Sequence, residues 1–396
     1  MASQFGISEG ELVEMSSVLT SRVVSDVVAQ VQGMLQQTTS VTLNIAVTGE
    51  SGSGKSSFIN AFRGVSDDEP EAAETGVTET TRDIRAYSHP SARNVLLWDL
   101  PGIGTPSFQP KTYLEDVGLL NYDFFIIVSS GRFQECHSAL AKHIMQAQKK
   151  FYFIRNKVDQ DLEAITRRRN RSNLSDDNVL GQLRSDCENN LRIGQVEQPQ
   201  VFLISCFHPQ RYDFPALQMT LLQELEGHKR HVLLLSLPNL SKTVIQSKKE
   251  ALSQALWKTA MGASLSSVGS GATFHAIVPK LMDTLKTYQQ TFCIDSQSLQ
   301  RLADITGISF QELQKEVTSS YGRELTSQTL ECSLSQVASG QNLLATQLES
   351  RIPILGSVVA GGISFVASYY LLTTALKELS EDGERVMQKA ILNTYS

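Results

Sequence analysis

A glycine-rich segment that joins an alternating apolar run to a helix-like stretch most constrains how this chain can fold. The segment is Gly49-Glu50-Ser51-Gly52-Ser53-Gly54-Lys55-Ser56, and apolar residues alternate before it from Val41 to Val47. A strand that enters such a turn and leaves as a helix is typical of a phosphate-binding loop, whereas the same glycines without that context form an ordinary turn. The glycines let successive N–H groups point at an anionic phosphate, and the positive end of the helix adds to the field. The sequence therefore predicts an α/β domain that binds a nucleotide.

The polar positions of this loop have distinct predicted roles. Lys55 reaches the outer phosphates and stabilises charge during catalysis, and Ser56 ligates Mg²⁺ through its hydroxyl. The loop residues predicted to contact the nucleotide are Glu50, Ser51, Gly52, Ser53, Gly54, Lys55, Ser56 and Ser57.

Short apolar runs alternate with amphipathic stretches as far as about residue 226, and helical periodicity dominates after residue 237. The strand candidates after the loop are Asn94 to Trp98, Phe124 to Val128, Phe151 to Ile154 and Val201 to Ile204, with Asp83 to His89 as an antiparallel edge strand. Such alternation predicts a mainly parallel sheet with helices on both faces. We expect an N-terminal helical segment at 1–38, a nucleotide domain at 39–228 and a C-terminal helical domain at 229–396. The leading helix needs a partner for its apolar face, and helices from the other chain end can provide it.

A second phosphate motif follows the strand candidate that ends at Trp98. In Asp99-Leu100-Pro101-Gly102, the aspartate is predicted to lie near Mg²⁺ and the glycine N–H to face the terminal phosphate. Small signalling GTPases carry a water-positioning glutamine directly after this motif, but Ile103 stands there, and an aliphatic side chain cannot orient water. Glu79 is the nearest polar candidate for that task. Slow basal turnover that rises on self-association or partner binding is the expected behaviour.

A threonine-rich segment, Thr75 to Thr81, lies between the two phosphate motifs. A switch segment needs a hydroxyl that ligates Mg²⁺ only while the γ-phosphate is present, although such a segment can also be a plain solvated turn. Thr81 is the first choice because it lies nearest the edge strand, with Thr80 and Thr75 as alternatives.

A third motif distinguishes the base. In Asn156-Lys157-Val158-Asp159, the carboxylate of Asp159 can accept both N1–H and N2–H₂ of guanine, a pair of donors that adenine does not offer. Asn156 is predicted to bond the acceptor edge of the base and Lys157 to lie over the ring. Ser205-Cys206 occupies the place of a loop that supports guanine through a backbone N–H. Since buried polar groups left unpaired by the wrong base can discriminate by about 10⁴-fold, GTP is favoured over ATP.

With these motifs, the chain resembles the immunity-related (interferon-inducible) GTPases of vertebrates over nearly its whole length. The segments that carry the resemblance are Gly49 to Asn60, Thr75 to Val77, Trp98 to Gly104, Tyr122 to Phe125, Phe151 to Phe153, Lys157 to Asp159, Tyr212 to Pro215, Leu235 to Pro238, Ile352 to Pro353 and Gly361 to Phe365. The resemblance implies a dynamin-like enzyme that hydrolyses GTP to GDP with Mg²⁺ and has a helical domain built from both chain ends. It further implies GTP-dependent self-assembly, contact with related GTPases, and action at intracellular membranes in cell-autonomous immunity.

Individual residues refine what the resemblance implies. Lys55 matches the lysine-bearing class of the family, and Glu79 matches the family's proposed catalytic glutamate. Asn156 is usually threonine in the family. Ala2 stands where myristoylation needs glycine, as in a constitutive, non-immune branch, so a membrane-associated scaffold that uses GTP mainly as a state switch is the alternative function.

Composition and charge narrow the partners and the compartment. A net charge of −6 gives no drive toward nucleic acid, and five scattered cysteines fit free thiols in the cytoplasm. The N-terminus has no secretory signal pattern, so synthesis in the cytosol is the expectation, and peripheral contact with intracellular membranes is what the resemblance implies. The uncharged stretch Ile352 to Leu372 is long enough to span a bilayer, but its glycines and serines also suit a packed core or an unmasked membrane-surface contact.

Overall fold

A computed structural model describes residues 9–18, 26, 29–34, 41–75, 83–103, 109–168, 175–265, 276–340 and 362–394. The chain divides into two compact units. One is continuous and comprises Val41–Ser241, and the other combines Met1–Ser40 with Lys242–Ser396.

The continuous unit is built on a sheet of six strands among the described residues, in the order β2-β3-β1-β4-β5-β6. The strands are β1 Leu43–Gly49, β2 Arg85–His89, β3 Ala92–Asp99, β4 Phe124–Ser129, β5 Lys150–Arg155 and β6 Val201–Leu203. Strands β2 and β3 are antiparallel, and every other neighbouring pair is parallel. Every residue of β4 is buried, as expected where helices cover both faces. The predicted mainly parallel sheet with an antiparallel edge strand is confirmed.

Helices lie between these strands and after the last of them. They are α2 Lys55–Arg63, α3 Pro110–Asp116, α4 Glu135–Gln146, α5 Val158–Arg168, α6 Asp176–Ile193, α7 Phe214–Glu224 and α8 Gly227–Ser236. Because β1 has β3 on one side and β4 on the other, the strand order reverses at β1. Ligands of open α/β sheets bind at the carboxyl ends of the strands beside such a reversal, and β1 ends at Gly49, in the predicted phosphate loop.

Helix α8 belongs to this unit, although the predicted helical domain begins at residue 229. Its Val232, Leu233 and Leu234 side chains are buried, and Lys229 Nζ forms an ion pair with Asp123, directly before β4. These contacts hold the helix to the sheet. Helical periodicity alone did not reveal which unit its apolar face joins.

The second unit is helical in its described residues. Its helices are α1 Glu9–Val18, α9 Lys242–Leu265, α10 Val278–Thr291, α11 Ser296–Thr306, α12 Phe310–Glu316, α13 Ser320–Arg323, α14 Ser327–Gly340 and α15 Gly362–Thr394. An ion pair of 2.8 Å from Lys258 Nζ to Glu14 Oε1 joins α9 to α1. The helical domain formed from both chain ends is confirmed.

One buried carboxylate fastens α15 within this unit. The Asp382 side chain is fully buried and accepts hydrogen bonds from the backbone N–H groups of Thr318, at 2.9 Å, and of Ser319, at 3.3 Å. The guanidinium of Arg385 pairs with the same carboxylate. The bonds tie α15 to the turn between α12 and α13.

The uncharged stretch Ile352 to Leu372 is described from Gly362 onward, and its earlier residues lie outside the described ranges. In the described part, Phe365 and Leu372 are among the buried side chains of α15, as the packed-core alternative expects. No helix of the described ranges combines the length and the apolar character needed to cross a membrane.

Candidate functional site

The phosphate loop begins where β1 ends, and two of its glycines are required by geometry. Gly49 has a φ of 148°, and a Cβ there would lie 1.9 Å from the carbonyl oxygen of Val128 on β4. Gly54 has a φ of 92°, and its Cβ would lie 2.4 Å from Asn156 Nδ2. A side chain at Gly49 would therefore push the loop away from β4, and one at Gly54 would push it away from the guanine motif.

Helix α2 starts at Lys55, so the charged and hydroxyl groups of the loop sit at a helix N-terminus. The ammonium of Lys55 folds back over the loop and donates to the carbonyl oxygens of Gly49 and Glu50, each at 3.3 Å. Ser56 Oγ donates to Asp99 Oδ2 at 3.2 Å. Ser56 and Asp99, two of the three residues predicted to bind Mg²⁺, are thus adjacent, because the parallel β1–β3 register places Asp99 beside Val47.

The segment after Asp99 runs alongside the phosphate loop. The N–H of Leu100 donates to Val47 O at 2.9 Å, and the N–H of Ile103 donates to Gly49 O at 3.1 Å. The side chain of Ile103 is buried in the hydrophobic core. It packs the second motif against the sheet, which explains an aliphatic residue where small GTPases carry glutamine.

The guanine motif connects three segments at the carboxyl ends of the strands. Asn156 Nδ2 donates to Ser53 O at 3.1 Å, and Cys206 Sγ donates to Asn156 Oδ1 at 3.2 Å. Burial raises the pKa of the Cys206 thiol, so it stays protonated and able to donate. The amide of Asn156 thus bridges the phosphate loop and the loop after β6, whereas the motif predicts a bond to the acceptor edge of the base.

Lys157 and Asp159 lie on either side of the start of α5. Lys157 adopts a φ of 63°, and its Nζ donates to Gly52 O at 2.8 Å. The Oδ1 atom of Asp159 is buried and has no hydrogen-bond partner among the described residues, and the same holds for the hydroxyls of Ser53 and Ser205. Burying a polar atom without a partner is costly, so these oxygens are suited to a polar ligand.

The side chain of Glu50 takes part in a network that the motif did not reveal. Its Oε1 accepts from Ser129 Oγ and Ser130 N, each at 3.1 Å, and its Oε2 lies 2.6 Å from Nε2 of the fully buried His137. His137 Nδ1 accepts from the N–H of Gln134 at 3.1 Å, so the hydrogen is on Nε2 and points at Glu50. Burial opposes ionisation of Glu50, but the bonds from His137 and Ser130 outweigh it and lower its pKa to about 2. The only sequence signal is the Gln134-x-x-His137 capping box of α4.

Two buried polar residues of α2 hold the chain that leads to the threonine-rich segment. Asn60 donates to Ala73 O at 3.0 Å and accepts from Ala73 N at 2.7 Å. Arg63 donates to Glu71 O from both terminal nitrogens at 3.0 Å. The motifs do not predict these bonds, although polar residues within the helix that follows a phosphate loop are a usable signal.

The predicted switch residues are only partly described. Thr75 is exposed, whereas Glu79, Thr80 and Thr81 lie outside the described residues. Of the other predicted site residues, Ser51 and Gly52 are exposed, and Ser57 and Gly102 are half-buried.

Comparison with known proteins identifies the family. The sequence model described as Interferon-inducible GTPase (IIGP) matches residues 8–390. The chain belongs to the interferon-inducible GTPase family. It is similar to Interferon-inducible GTPase 5 of Rattus norvegicus, with 38% identity over 97% of this chain and 83% of that protein. Interferon-gamma-inducible GTPase 10 of Mus musculus is 35% identical over 97% of this chain and 90% of its own length.

Membership of the interferon-inducible GTPase family confirms the resemblance and the prediction of a GTPase. Among solved structures, Toc33 from Arabidopsis thaliana in complex with Mg²⁺ and GMPPNP is 15% identical. It covers 45% of this chain and 77% of its own, with a TM-score of 0.32.

Proposed function

We propose that this protein binds GTP with Mg²⁺ between the phosphate loop, the Asp99 to Gly102 segment and the guanine motif, and hydrolyses it to GDP. The buried, unpartnered Oδ1 of Asp159 is the observation that carries the choice of guanine. A carboxylate in that position accepts the two donors of a guanine edge, whereas adenine would leave it unpaired. In this proposal, the loop after β6, with Ser205 and Cys206, supports the base.

Both the backbone and the Lys55 side chain of the phosphate loop stabilise the negative charge of the phosphates in this proposal. Backbone N–H groups from Glu50 to Ser57 surround the phosphates at the start of α2, where the helix field favours anions. Lys55 currently donates to carbonyl oxygens of the loop, and it would exchange those bonds for the outer phosphates.

The neighbouring oxygens of Ser56 and Asp99 fit Mg²⁺, because hard cations prefer oxygen ligands. Bound there, the ion would neutralise charge on the phosphates. Thr81, or alternatively Thr80 or Thr75, would contribute the nucleotide-sensing hydroxyl. Glu79 would orient the attacking water, since the side chain of Ile103 is buried in the core.

The same proposal extends to assembly and location. The protein would self-associate in the GTP state, with itself and with related GTPases, and contact intracellular membranes peripherally in cell-autonomous immunity. The second candidate is a constitutive scaffold that uses GTP mainly as a state switch. In both, we propose that the unit Val41–Ser241 is the GTPase domain and that both chain ends form the helical domain.

GTP turnover measured across protein concentrations, with and without liposomes, tests these functions together. Turnover per molecule should rise with concentration, and turnover that is fast and independent of concentration would refute self-activation. Lys55→Ala should abolish nucleotide binding and assembly. Glu79→Ala should slow turnover but spare assembly, whereas an unchanged rate would exclude Glu79 from the reaction.

The Asp159→Asn variant tests base recognition, because it should gain affinity for a different nucleotide. The amide presents a donor where the carboxylate presented an acceptor, so affinity should fall for GTP and rise for xanthosine triphosphate, whose base carries a carbonyl in place of the amino group. Unchanged preference for GTP would refute the assignment of Asp159 to the base.

A further inference from the structure

The peptide between Pro101 and Gly102 lies between two backbone anchors. The N–H of Leu100 on one side and that of Ile103 on the other are bonded to β1. The polar groups of this peptide are the carbonyl of Pro101 and the N–H of Gly102, so a bond to the carbonyl fixes the orientation of the whole peptide plane.

That carbonyl is bonded by a tyrosine from the next helix. Tyr113 on α3 donates its hydroxyl hydrogen to Pro101 O at 2.9 Å, and its oxygen lies 2.7 Å from Thr48 Oγ1. A tyrosine hydroxyl has one hydrogen and a carbonyl cannot donate, so Thr48 must be the donor in the second bond. Burial raises the pKa of Tyr113, so the phenol stays protonated. Its hydroxyl can therefore continue to donate the hydrogen bond to Pro101 O.

The orientation of this peptide decides where the N–H of Gly102 points. In a trans peptide the C=O and N–H groups point in opposite directions, and the described residues contain no cis bond. With the Pro101 carbonyl turned to Tyr113, the N–H of Gly102 points away from Tyr113. Thr48, the donor to Tyr113, directly precedes Gly49, so the same relay is attached to the start of the phosphate loop.

We propose that Tyr113 is a positioning residue that, together with Thr48, orients the N–H of Gly102 toward the γ-phosphate and thereby favours GTP over GDP. This inference rests on the proposed function, in which Gly102 contacts the terminal phosphate. GDP has no γ-phosphate, so the relay contributes to binding of the triphosphate and to turnover, and not to binding of the diphosphate. A single net hydrogen bond corresponds to about 3- to 10-fold in affinity.

Tyr113→Phe in the full-length protein tests the relay, because it keeps the ring and removes the hydroxyl. The matched control is Tyr122→Phe, which deletes another tyrosine hydroxyl bonded to a carbonyl, that of Val117 at 2.9 Å, at the far end of α3. Dissociation constants for GDP and for the non-hydrolysable analogue GMPPNP are measured with excess Mg²⁺. We expect Tyr113→Phe to weaken the binding of GMPPNP about 3- to 10-fold, to leave the affinity for GDP within about twofold of wild type, and to lower kcat. Tyr122→Phe should keep the wild-type ratio of the two dissociation constants.

Thr48 provides a second, independent variant. Thr48→Val removes the donor to Tyr113 and should shift the ratio of the GMPPNP and GDP dissociation constants in the same direction. Thr48→Ser, which keeps the hydroxyl, should have the wild-type ratio. In the Tyr113→Phe background, Thr48→Val should cause no further change. An unchanged ratio in Tyr113→Phe, or an equal loss for both nucleotides, would overturn the relay while leaving the proposed function intact. If wild-type protein bound neither nucleotide, the proposed function would fail, and the relay with it.

Discussion

Replacing Glu50 by glutamine removes one charge from a hydrogen-bond network in which the donor and the acceptor of each bond are assigned. The two carboxylate oxygens accept from Ser129, Ser130 and the Nε2–H of His137. In either orientation of the glutamine amide, its NH₂ group would face a donor, from His137 on one side or from Ser130 on the other. His137 cannot relieve this by changing tautomer, because its Nδ1 accepts from Gln134.

The lowered pKa of Glu50 determines how much free energy of unfolding the Glu50→Gln variant loses and how this loss depends on pH. Glu50 titrates near 2 in the folded protein against an ordinary 4.5, and its side chain is 13% exposed. A depressed pKa contributes stability that is complete above the unfolded value of 4.5 and lost as pH falls toward 2. The charged form therefore adds about 3 kcal/mol at pH 7, and about 1 kcal/mol at pH 3.

Urea unfolding of Glu50→Gln and wild type at pH 7 and at pH 3 measures this difference. The control is Glu188→Gln, which breaks the 3.0 Å helix-surface pair with Arg192 and should cost less than about 0.5 kcal/mol at either pH. We expect the Glu50 deficit to shrink by about 2 kcal/mol between the two pH values. A deficit below about 1 kcal/mol at pH 7, or one that does not change with pH, would refute a buried, ionised Glu50.

Three further variants test other contacts. Gly49→Ala should destabilise the sheet unit by at least about 3 kcal/mol in urea unfolding, because its Cβ would meet the carbonyl of Val128; wild-type stability would contradict the geometry. Asp382→Asn should cost the helical unit about 3 kcal/mol, seen as a lower Tm of that unit with unchanged nucleotide affinity, since it leaves Arg385 without its buried partner. Asn60→Ala should speed proteolysis within residues 66–75, because the chain there loses its bonds from the Asn60 amide, and unchanged cleavage would show that those bonds do not hold it.

Local patterns predicted the sheet and the motifs because strands and phosphate loops depend on neighbouring residues. The alternation before Gly49 and the apolar run Phe124 to Val128 needed no tertiary information. Contacts between distant residues left no such pattern. The partner of Glu50 lies 87 positions away, and Tyr113 comes 65 positions after the Thr48 hydroxyl that it meets.

The roles of individual side chains were the least predictable part. An asparagine in a guanine motif can face the base or the protein, and the amide of Asn156 is engaged at both ends by Ser53 and Cys206. Likewise, the apolar residues of α8 fit packing on a sheet or on helices equally well. Periodicity shows that a face is apolar, but the tertiary fold decides what covers it.

The ion pair between Glu14 and Lys258 has a consequence for synthesis of the chain on the ribosome. Residues 41–241 form a continuous unit, so this unit can fold as soon as it leaves the exit tunnel. Helix α1 emerges first but must wait for α9, which is made more than 200 residues later. Until then the ion pair between Glu14 and Lys258 cannot form, and we expect nascent chains cut after residue 241 to need a chaperone at their N-terminus.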